Sequence, residues 1–433
     1  MASTQQETIS VPASPADGRA TVDAALAAAA AKLARLAQLD PLLIDVSLRE
    51  PCFASPLGHT LQDKLALLSL AEAFGIQDRI VATLDYQYPD QAQVEDQFCL
   101  HLRNTGYDFR RSFAASSLGS FTGGSFVPHT SMVKLVEYTI PNTLHEFVLL
   151  PDAGPRPSLA AITGSIAWLR QNLPAVDGAP GRIYVNVLDL VDGFLVDPDW
   201  ACEVLTLLAQ APVDGISFED DRGTFFPFQV GATVSAAKAL LRPDQLVLFH
   251  AHTGNGMENA SVIEALLNGA AGYWGGLTRT SSTIGHASLA DLIANLMRAG
   301  NPQMSARYRV ERLLPVCDAM HRINIGEPAP DDWPITGHNA YREVLSDFRQ
   351  RAGRPNDLPP QSIGGTYQFR IAPVGSDVPV VVGRVKEALD LDIGADVAQR
   401  MILLMRSDLM AGVRIHYDEP PQLRELYLRA TRP

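Results

Sequence analysis

Short apolar runs alternate with longer amphipathic stretches along the first 300 residues of the chain. The stretches between the runs have apolar residues at the spacing typical of helices; examples are Leu61–Phe74, Trp200–Ala209 and Ser261–Leu267. Eight such runs are expected, each with the length of a buried strand. One of them lies within 105–140, where the sequence gives no clear boundary. The other seven are Leu42–Val46, Ile80–Leu84, Glu146–Leu150, Ile183–Leu188, Gly215–Phe218, Leu246–Phe249 and Gly272–Trp274.

Strands and helices in alternation predict parallel strands with right-handed crossovers, and eight such units close a barrel. We therefore predict an α/β protein with a (β/α)8 TIM barrel over residues 21–300, which begins with an Ala-rich helix at Thr21–Leu39. The rival is an open doubly wound sheet. No glycine-rich phosphate fingerprint follows the first strand, which disfavours its dinucleotide-binding form.

The two ends of the chain have different patterns. Residues 1–20 are rich in Ser, Thr, Ala, Pro and Gln and are predicted to form a disordered tail. From residue 301 onward, proline-rich stretches interrupt helical segments such as Ala306–Ile323 and Val380–Leu389. Residues 301–433 are therefore predicted to form a mainly helical C-terminal region of one or two small subdomains.

Composition narrows the class of protein. Hydrophobic residues make up 46% of the chain and charged residues 19%, which is enough apolar material for a large core. A net charge of −13 disfavours a nucleic-acid partner, since that requires clustered Lys and Arg. We expect neither a signal peptide nor a membrane span, since the sequence shows no basic region followed by an apolar core and no apolar run of about 18 residues. We expect a cytoplasmic protein, because the cysteines are scattered and lack CxxC spacing: Cys52, Cys99, Cys202 and Cys317.

Two distant strand ends carry ionisable side chains. Arg49 and Glu50 follow the first apolar run, and His250 and His252 follow the run that begins at Leu246. All strands of a barrel end at the same face, so these ends can meet around one ion. A carboxylate and two imidazoles suit a divalent transition metal, and an arginine stabilises a developing oxyanion. The combination predicts carbon–carbon bond chemistry through an enolate; the alternatives are polar strand ends and a structural ion pair.

These residues resemble the motifs of the DRE-TIM metallolyase superfamily, which includes homocitrate synthase, isopropylmalate synthase and 3-hydroxy-3-methylglutaryl-CoA lyase. Arg49-Glu50 is similar to a first-strand motif in which arginine precedes a metal-binding carboxylate, and Phe249–Gly256 resembles a histidine-x-histidine motif. Gly269–Leu289 and Pro334–Ala340 are similar to later segments of the synthases. The resemblance implies a (β/α)8 barrel followed by helical subdomains, usually in a homodimer.

The resemblance also implies a metal site. Glu50, His250 and His252 match the ligand motifs, and His286 stands where the family has a metal-site asparagine. These four residues are the expected ligands of a divalent cation, which is Zn, Mn, Co, Fe or Mg. The expected partners are an acyl-CoA and a small-molecule substrate.

Other positions depart from the family. Asp85 replaces a second-strand glutamate, Thr253 replaces an asparagine, and Asp221 stands where the synthases bind the carboxylate of a 2-oxo acid with threonine. We predict Arg49, Asp85 and Asp221 as catalytic residues, and Asp189, Thr253 and Asp221 as substrate contacts; the alternative for each aspartate is a solvated loop carboxylate. A carboxylate facing a carboxylate costs Coulomb energy. An ordinary 2-oxo acid therefore fits Asp221 poorly, whereas a substrate amine fits it well.

The leading functional prediction is a divalent-metal-dependent Claisen-type condensation of an acyl-CoA with an oxo-acid-like acceptor of atypical structure. Acetyl-CoA is the expected donor. Two alternatives stay open. The same site can serve an aldolase or acyl lyase that cleaves a carbon–carbon bond, or the chain can be a barrel that has lost catalysis and serves as a binding subunit.

Overall fold

The computed structural model describes residues 15–84, 93–152, 155–344 and 357–432. Eight parallel strands form a closed barrel, which confirms the predicted TIM fold. Around the barrel the strand order is β1-β2-β3-β6-β7-β8-β9-β10, and β10 pairs with β1. These strands are β1 (Leu42–Asp45), β2 (Arg79–Ala82), β3 (Ser112–Ser117), β6 (Asn142–Val148), β7 (Ile183–Leu188), β8 (Gly215–Asp220), β9 (Leu246–Ala251) and β10 (Gly272–Gly275).

Short strands lie outside the barrel. Strands β4 (Ser120–Thr122) and β5 (Ser125–Val127) form an antiparallel hairpin after β3. Strands β11 (Arg342–Glu343) and β12 (Gln368–Phe369) pair in parallel in the C-terminal region.

Helices surround the barrel and continue beyond it. Up to the end of the barrel they are α1 (Pro15–Gln38), α2 (Glu50–Ala54), α3 (Leu61–Phe74), α4 (Val94–Asn104), α5 (Thr130–Glu137), α6 (Leu159–Asn172), α7 (Leu190–Val196), α8 (Pro198–Gln210), α9 (Pro227–Leu240), α10 (Glu258–Leu267) and α11 (Leu289–Arg298). The later helices are α12 (Pro302–Arg307), α13 (Leu313–Ile325), α14 (Val378–Leu389), α15 (Ala395–Met410) and α16 (Pro420–Thr431).

Helix α3 has the predicted bounds because both of its ends carry strong local signals. The Thr60 hydroxyl accepts from the backbone N–H of Asp63 at 3.2 Å, and the Asp63 carboxylate accepts from the Thr60 N–H at 2.9 Å. This reciprocal pair caps the first turn. At the other end Gly75 adopts φ of 106°, which glycine reaches without strain.

The barrel interior sets which side chains face its upper end. Leu144, Tyr184 and Leu248 pack with Trp274 in a core enclosed by the strands. Successive residues of a strand face opposite sides. The side chains two positions further along β6, β7 and β9 therefore also point inward, at the carboxyl ends of the strands; we call this end the mouth and the opposite end the floor.

The region after the barrel is helical, as predicted, but one predicted helix is wrong. Ala306–Ile323 is divided between α12 and α13, with a 3-10 turn at Val310–Arg312 between them. Both helices pack into the large core that covers the barrel, through residues such as Met304 and Met320. Helices α14 to α16 enclose a separate core between Ile371 and Ala430. The domain boundary at residue 300 stays a prediction.

The first helix begins earlier than the sequence pattern indicated. Residues 15–20 belong to α1, so the predicted tail is wrong for them, and 1–14 lie outside the described residues. Asp17 in the first turn stabilises the start of the helix, since the helix dipole is positive there. None of the helices in the described ranges has the length and apolar composition of a membrane span.

Candidate metal centre

Four predicted ligands meet at the mouth. One ligand atom each from Glu50, His250, His252 and His286 lies within 4.8 Å of the others. Three of these side chains are buried, and His252 is partly exposed. The structure thus brings together residues that are up to 236 positions apart in the chain.

Neighbouring elements deliver these side chains. Glu50 begins α2 directly after β1, and His250 lies in β9. His252 and His286 form an isolated antiparallel bridge, so the segment after β10 returns to the end of β9. Arg279 anchors that segment, because its guanidinium bonds Glu258 of α10 and Asp291 of α11, each at 2.9 Å.

The hydrogen bonds of two imidazoles leave a nitrogen free for a cation. Nδ1 of His250 donates to the carbonyl of Trp274 at 2.6 Å, so its Nε2 carries a lone pair. Nδ1 of His252 lies 3.1 Å from the Ser282 hydroxyl, which can accept in the same way. The two Nε2 atoms are then 3.0 Å apart, with their lone pairs facing one another. A cation between them would stabilise this arrangement, and the outer hydrogen bonds fix the orientation of the two rings.

The surroundings set the ionisation that a metal site requires. Burial lowers the pKa of His250 well below its usual value, and burial together with His286 lowers that of His252 to about 3. Burial alone would raise the pKa of Glu50, but the charges of His286, His250 and Arg49 hold it well below its usual range. Two neutral imidazoles and a carboxylate are the forms that bind a divalent metal.

Arg49 lies beside the ligands and is held by two carboxylates. Its Nη1 is 3.1 Å from Glu50, and its Nη2 is 3.3 and 3.4 Å from the two oxygens of Glu146. The guanidinium carbon also lies 5.8 Å from the ring centre of Trp274. Arg49 therefore presents a fixed positive charge at the mouth, where a developing oxyanion would form.

Sequence reasoning missed a buried ion pair behind this motif. Lys64 of α3 contacts Glu95 of α4, and its Nζ donates to the Leu48 carbonyl at 2.8 Å. Glu95 also accepts from the Thr83 backbone at 2.9 Å, and the Thr83 hydroxyl donates to the Arg49 carbonyl at 2.9 Å. The pair fixes the backbone on both sides of Arg49. Its sequence signal is a charge on an otherwise apolar helix face.

Of the predicted substrate contacts, the structure brings Asp189 and Asp221 near one another and engages Thr253 elsewhere. Asp221 has a side chain 41% exposed and lies 3.8 Å from the guanidinium of Arg222. Asp189 follows β7, and burial, then the charge of Asp221, raise its pKa to about 6. The Thr253 hydroxyl instead donates to the carbonyl of Ile284 in the segment after β10. Asp85 lies outside the described residues.

Glu219 is a second residue that sequence reasoning missed. It faces the mouth from β8, where the strand pairing places it beside His250 of β9. Its carboxylate accepts from Nδ2 of Asn186 at 2.9 Å. Burial, outweighing this bond, raises the pKa of Glu219 to about 7. The signal was present in the alternation of the strand, which places Ser217 and Glu219 on the same side.

The chain is similar to known proteins both in sequence and in fold. No family model matches the chain. It is 19% identical to (R)-citramalate synthase of Streptomyces coelicolor over 393 residues, which are 90% of this chain and 72% of that protein. The HMG-CoA lyase of Bacillus subtilis aligns with a TM-score of 0.53 and 14% identity, over 68% of this chain and 96% of that one.

A further solved structure is an HMG-CoA lyase of Acinetobacter baumannii in complex with coenzyme A and 3-methylmalate. Its TM-score is 0.53 and its identity 15%, over 74% of this chain and 97% of that one. These structures share the barrel. The likeness to citramalate synthase extends over the motifs at both strand ends, where the four ligand side chains meet. These comparisons support the predicted resemblance to the DRE-TIM metallolyase superfamily, at low sequence identity.

Proposed function

We propose that this protein catalyses a divalent-metal-dependent Claisen-type condensation, in which an acyl-CoA, acetyl-CoA above all, adds to an oxo-acid-like acceptor. One observation carries the proposal. Arg49 lies beside a four-residue ligand cluster at the mouth of a barrel that is similar to citramalate synthase over 90% of the chain. The mouth is where barrel enzymes place their reacting groups.

Glu50, His250, His252 and His286 would hold the cation. When bound, a divalent cation polarises the carbonyl of the acceptor as a Lewis acid. The acyl-CoA loses an α-proton as its carbon bonds to the acceptor, and in the net step the former carbonyl oxygen of the acceptor gains a proton. Arg49 stabilises the negative charge that develops on oxygen during this step. The ion pairs of Arg49 with Glu50 and Glu146 hold its guanidinium in place beforehand, so little reorganisation is needed. Hydrolysis of the thioester then releases free CoA.

Asp221 and Asp189 are proposed contacts of the acceptor, and Thr253 and Asp85 keep their predicted roles as a substrate contact and a catalytic residue. Asp221 and Asp189 place negative charge at the mouth, where the carboxylate of an ordinary 2-oxo acid would be repelled. The acceptor is therefore atypical. A homodimer stays a prediction.

The test is release of free CoA from acetyl-CoA with a panel of oxo acids. Protein is stripped with a chelator, reloaded with Zn, Mn, Co, Fe or Mg, and assayed with a thiol reagent. We expect CoA release that requires both an acceptor and a metal. Arg49→Lys should lower the rate at least about 100-fold, since lysine lacks the guanidinium fork. Arg110→Lys, at an exposed floor position, is the matched control.

Two results would overturn the proposal. Cleavage of 3-hydroxyacyl-CoA substrates without any condensation would identify a lyase. A wild-type protein that retains no metal and releases no CoA with any acceptor would identify a barrel without this catalysis.

A further inference from the structure

We infer that the acceptor carries a protonated amine, which is recognised by three carboxyl groups on one side of the mouth. They belong to Asp189, Glu219 and Asp221, and we call them the acidic wall. The inference rests on the proposed function, because it names the substrate class of the same site. It adds Glu219, which faces the centre of the mouth from the strand next to the metal ligands.

The strand pairing places the acidic wall beside the metal centre. Glu219 of β8 is the direct partner of His250 of β9, and neighbouring strands lie about 5 Å apart. Asp221 lies in the turn directly after β8, and its charge acts on both Glu219 and Asp189. Asp189 follows β7, the next strand round the barrel, and the charge of Asp221 acts on it. A ligand at the cation therefore has the acidic wall within reach of its far end.

Glu219 is poorly compensated for a side chain that is only 9% exposed. Asn186, itself buried, is its one hydrogen-bond partner among the residues the structure describes. The Oδ1 atom of Asn186 has no partner in that part of the chain either. A buried carboxylate without a cation costs several kcal/mol. Oδ1 of Asn186 and the carboxyl oxygens of the acidic wall are hydrogen-bond acceptors, which a ligand with several N–H donors complements.

Arg222, the cation beside the acidic wall, is shared between Asp221 and Asp192 and leaves the other two wall residues without an ion pair among the described side chains. Arg222, 55% exposed, donates to Asp192 at 2.9 Å and lies 3.8 Å from Asp221. Within the described ranges neither Glu219 nor Asp189 has an ion-pair partner. Arg49, across the mouth, is bonded to Glu50 and Glu146. An acceptor with a second carboxylate would meet uncompensated negative charge, whereas an ammonium would neutralise it.

A second metal ion fits the acidic wall less well than an organic ammonium. In the described part of the chain, one group of side chains has the spacing of metal ligands, and it contains none of the three wall residues. A metal needs ligand oxygens gathered at about 2.0–2.6 Å. An ammonium on a substrate can direct its three N–H bonds to more widely spaced carboxyl groups.

Three inert 2-hydroxy acids test the inference by isothermal titration of zinc-loaded protein. They are 4-amino-2-hydroxybutanoate, 2-hydroxypentanoate and 2-hydroxyglutarate, which share a chelating end and differ at the other end by an ammonium, a methyl or a carboxylate. We expect the amine to bind at least about tenfold more tightly than the methyl compound, and 2-hydroxyglutarate to bind most weakly. Glu219→Gln and Asp221→Asn should each reduce the amine preference about fivefold or more.

Asp244→Asn removes the same charge at the floor, where its carboxyl is exposed, and should leave the preference unchanged. Equal or tighter binding of 2-hydroxypentanoate or 2-hydroxyglutarate, or no binding of the amine, would overturn the inference. Two zinc equivalents in the wild type and one in Glu219→Gln would overturn it in favour of a second metal. Failure of the wild type to retain any of Zn, Mn, Co, Fe or Mg would overturn the proposed function instead, and the amine preference would then be measured on metal-free protein.

Discussion

The floor and the mouth of the barrel treat buried charge in opposite ways. At the floor, Asp78 contacts Arg111 and accepts from Arg182 at 2.9 Å, and Arg79 donates to the Tyr107 hydroxyl at 2.9 Å. Each buried charge there has a partner. At the mouth, imidazole lone pairs face one another and Glu219 has a single amide neighbour. Charges at the floor pair with one another, whereas the facing imidazoles and Glu219 at the mouth leave interactions that a ligand would complete.

The substitution with the largest expected effect perturbs the mouth and leaves the floor unchanged. His252→Ala removes a ligand and should weaken metal binding by more than about 100-fold, beyond the loss typical of a supporting residue. Metal content after dialysis and competition with a chelator measure this. The stability of the metal-free protein should change by less than about 1 kcal/mol, because His252 is partly exposed. His416→Gln, at an exposed position, is the control. Unchanged affinity in His252→Ala would contradict the ligand assignment.

A second change breaks the floor alone. Asp78→Asn keeps the shape of the side chain but removes the charge that Arg111 and Arg182 contact. We expect a loss of about 2 kcal/mol in the free energy of unfolding, since hydrogen bonds to charged groups contribute about that much. Denaturant titration measures it. Metal affinity should stay within about threefold of the wild type. A larger change would show that floor and mouth are coupled.

The smallest expected effect is on the pH dependence of stability, which should differ between a carboxyl group at the mouth and one at the floor. Because burial raises the pKa of Glu219 to about 7, the folded state binds more protons than the unfolded state from about pH 4.5 to 7. Stability should therefore fall as pH rises through that interval. Glu219→Gln removes this fall, so metal-free mutant protein should be more stable than the wild type at pH 8, by about 1 to 3 kcal/mol, and equal to it at pH 4.

Urea titrations at both pH values measure the difference. The control is Asp244→Asn at the floor, where a hydrogen bond from Arg242 lowers the pKa of the carboxyl. That shift has the opposite sign, so this variant should gain no stability at pH 8. A mutant and a wild type of equal stability at both pH values would contradict the placement of Glu219 in an uncompensated pocket.

Much of the fold could be predicted because its signals are local. Leu61–Phe74 has a cap at each end, and the strand Ile183–Leu188 is a clean apolar run. The strand Ser112–Ser117 had no such run, since its small polar residues bond across the barrel wall, as Ser116 does to His145 at 2.9 Å. The next strand begins with polar residues, because the Asn142 side chain donates to the backbone of the neighbouring strand. The apolar run had therefore predicted a later start for it.

Site residues were predicted where their chemical type at a strand end indicates a function. They were missed where only their position in the folded barrel places them at the site. Glu50 and His250 stand out by chemistry at strand ends. Glu146 and Glu219 are ordinary glutamates in sequence, and only the inward direction of their strands places them at the mouth. Lys64 was missed for a related reason, since its contact with Glu95 joins two helices that only the closed barrel brings together.

The bridge between His252 and His286 has a consequence for how the centre is assembled. Three ligands come from the ends of β1 and β9, but the fourth arrives on a loop that the same bridge ties to the barrel. Binding of a cation by all four side chains would therefore depend on the position of that loop. Insertions or deletions within residues 277–284 should first change how well the bound metal resists removal by a chelator. The cooperativity of unfolding of the barrel should change only with larger alterations.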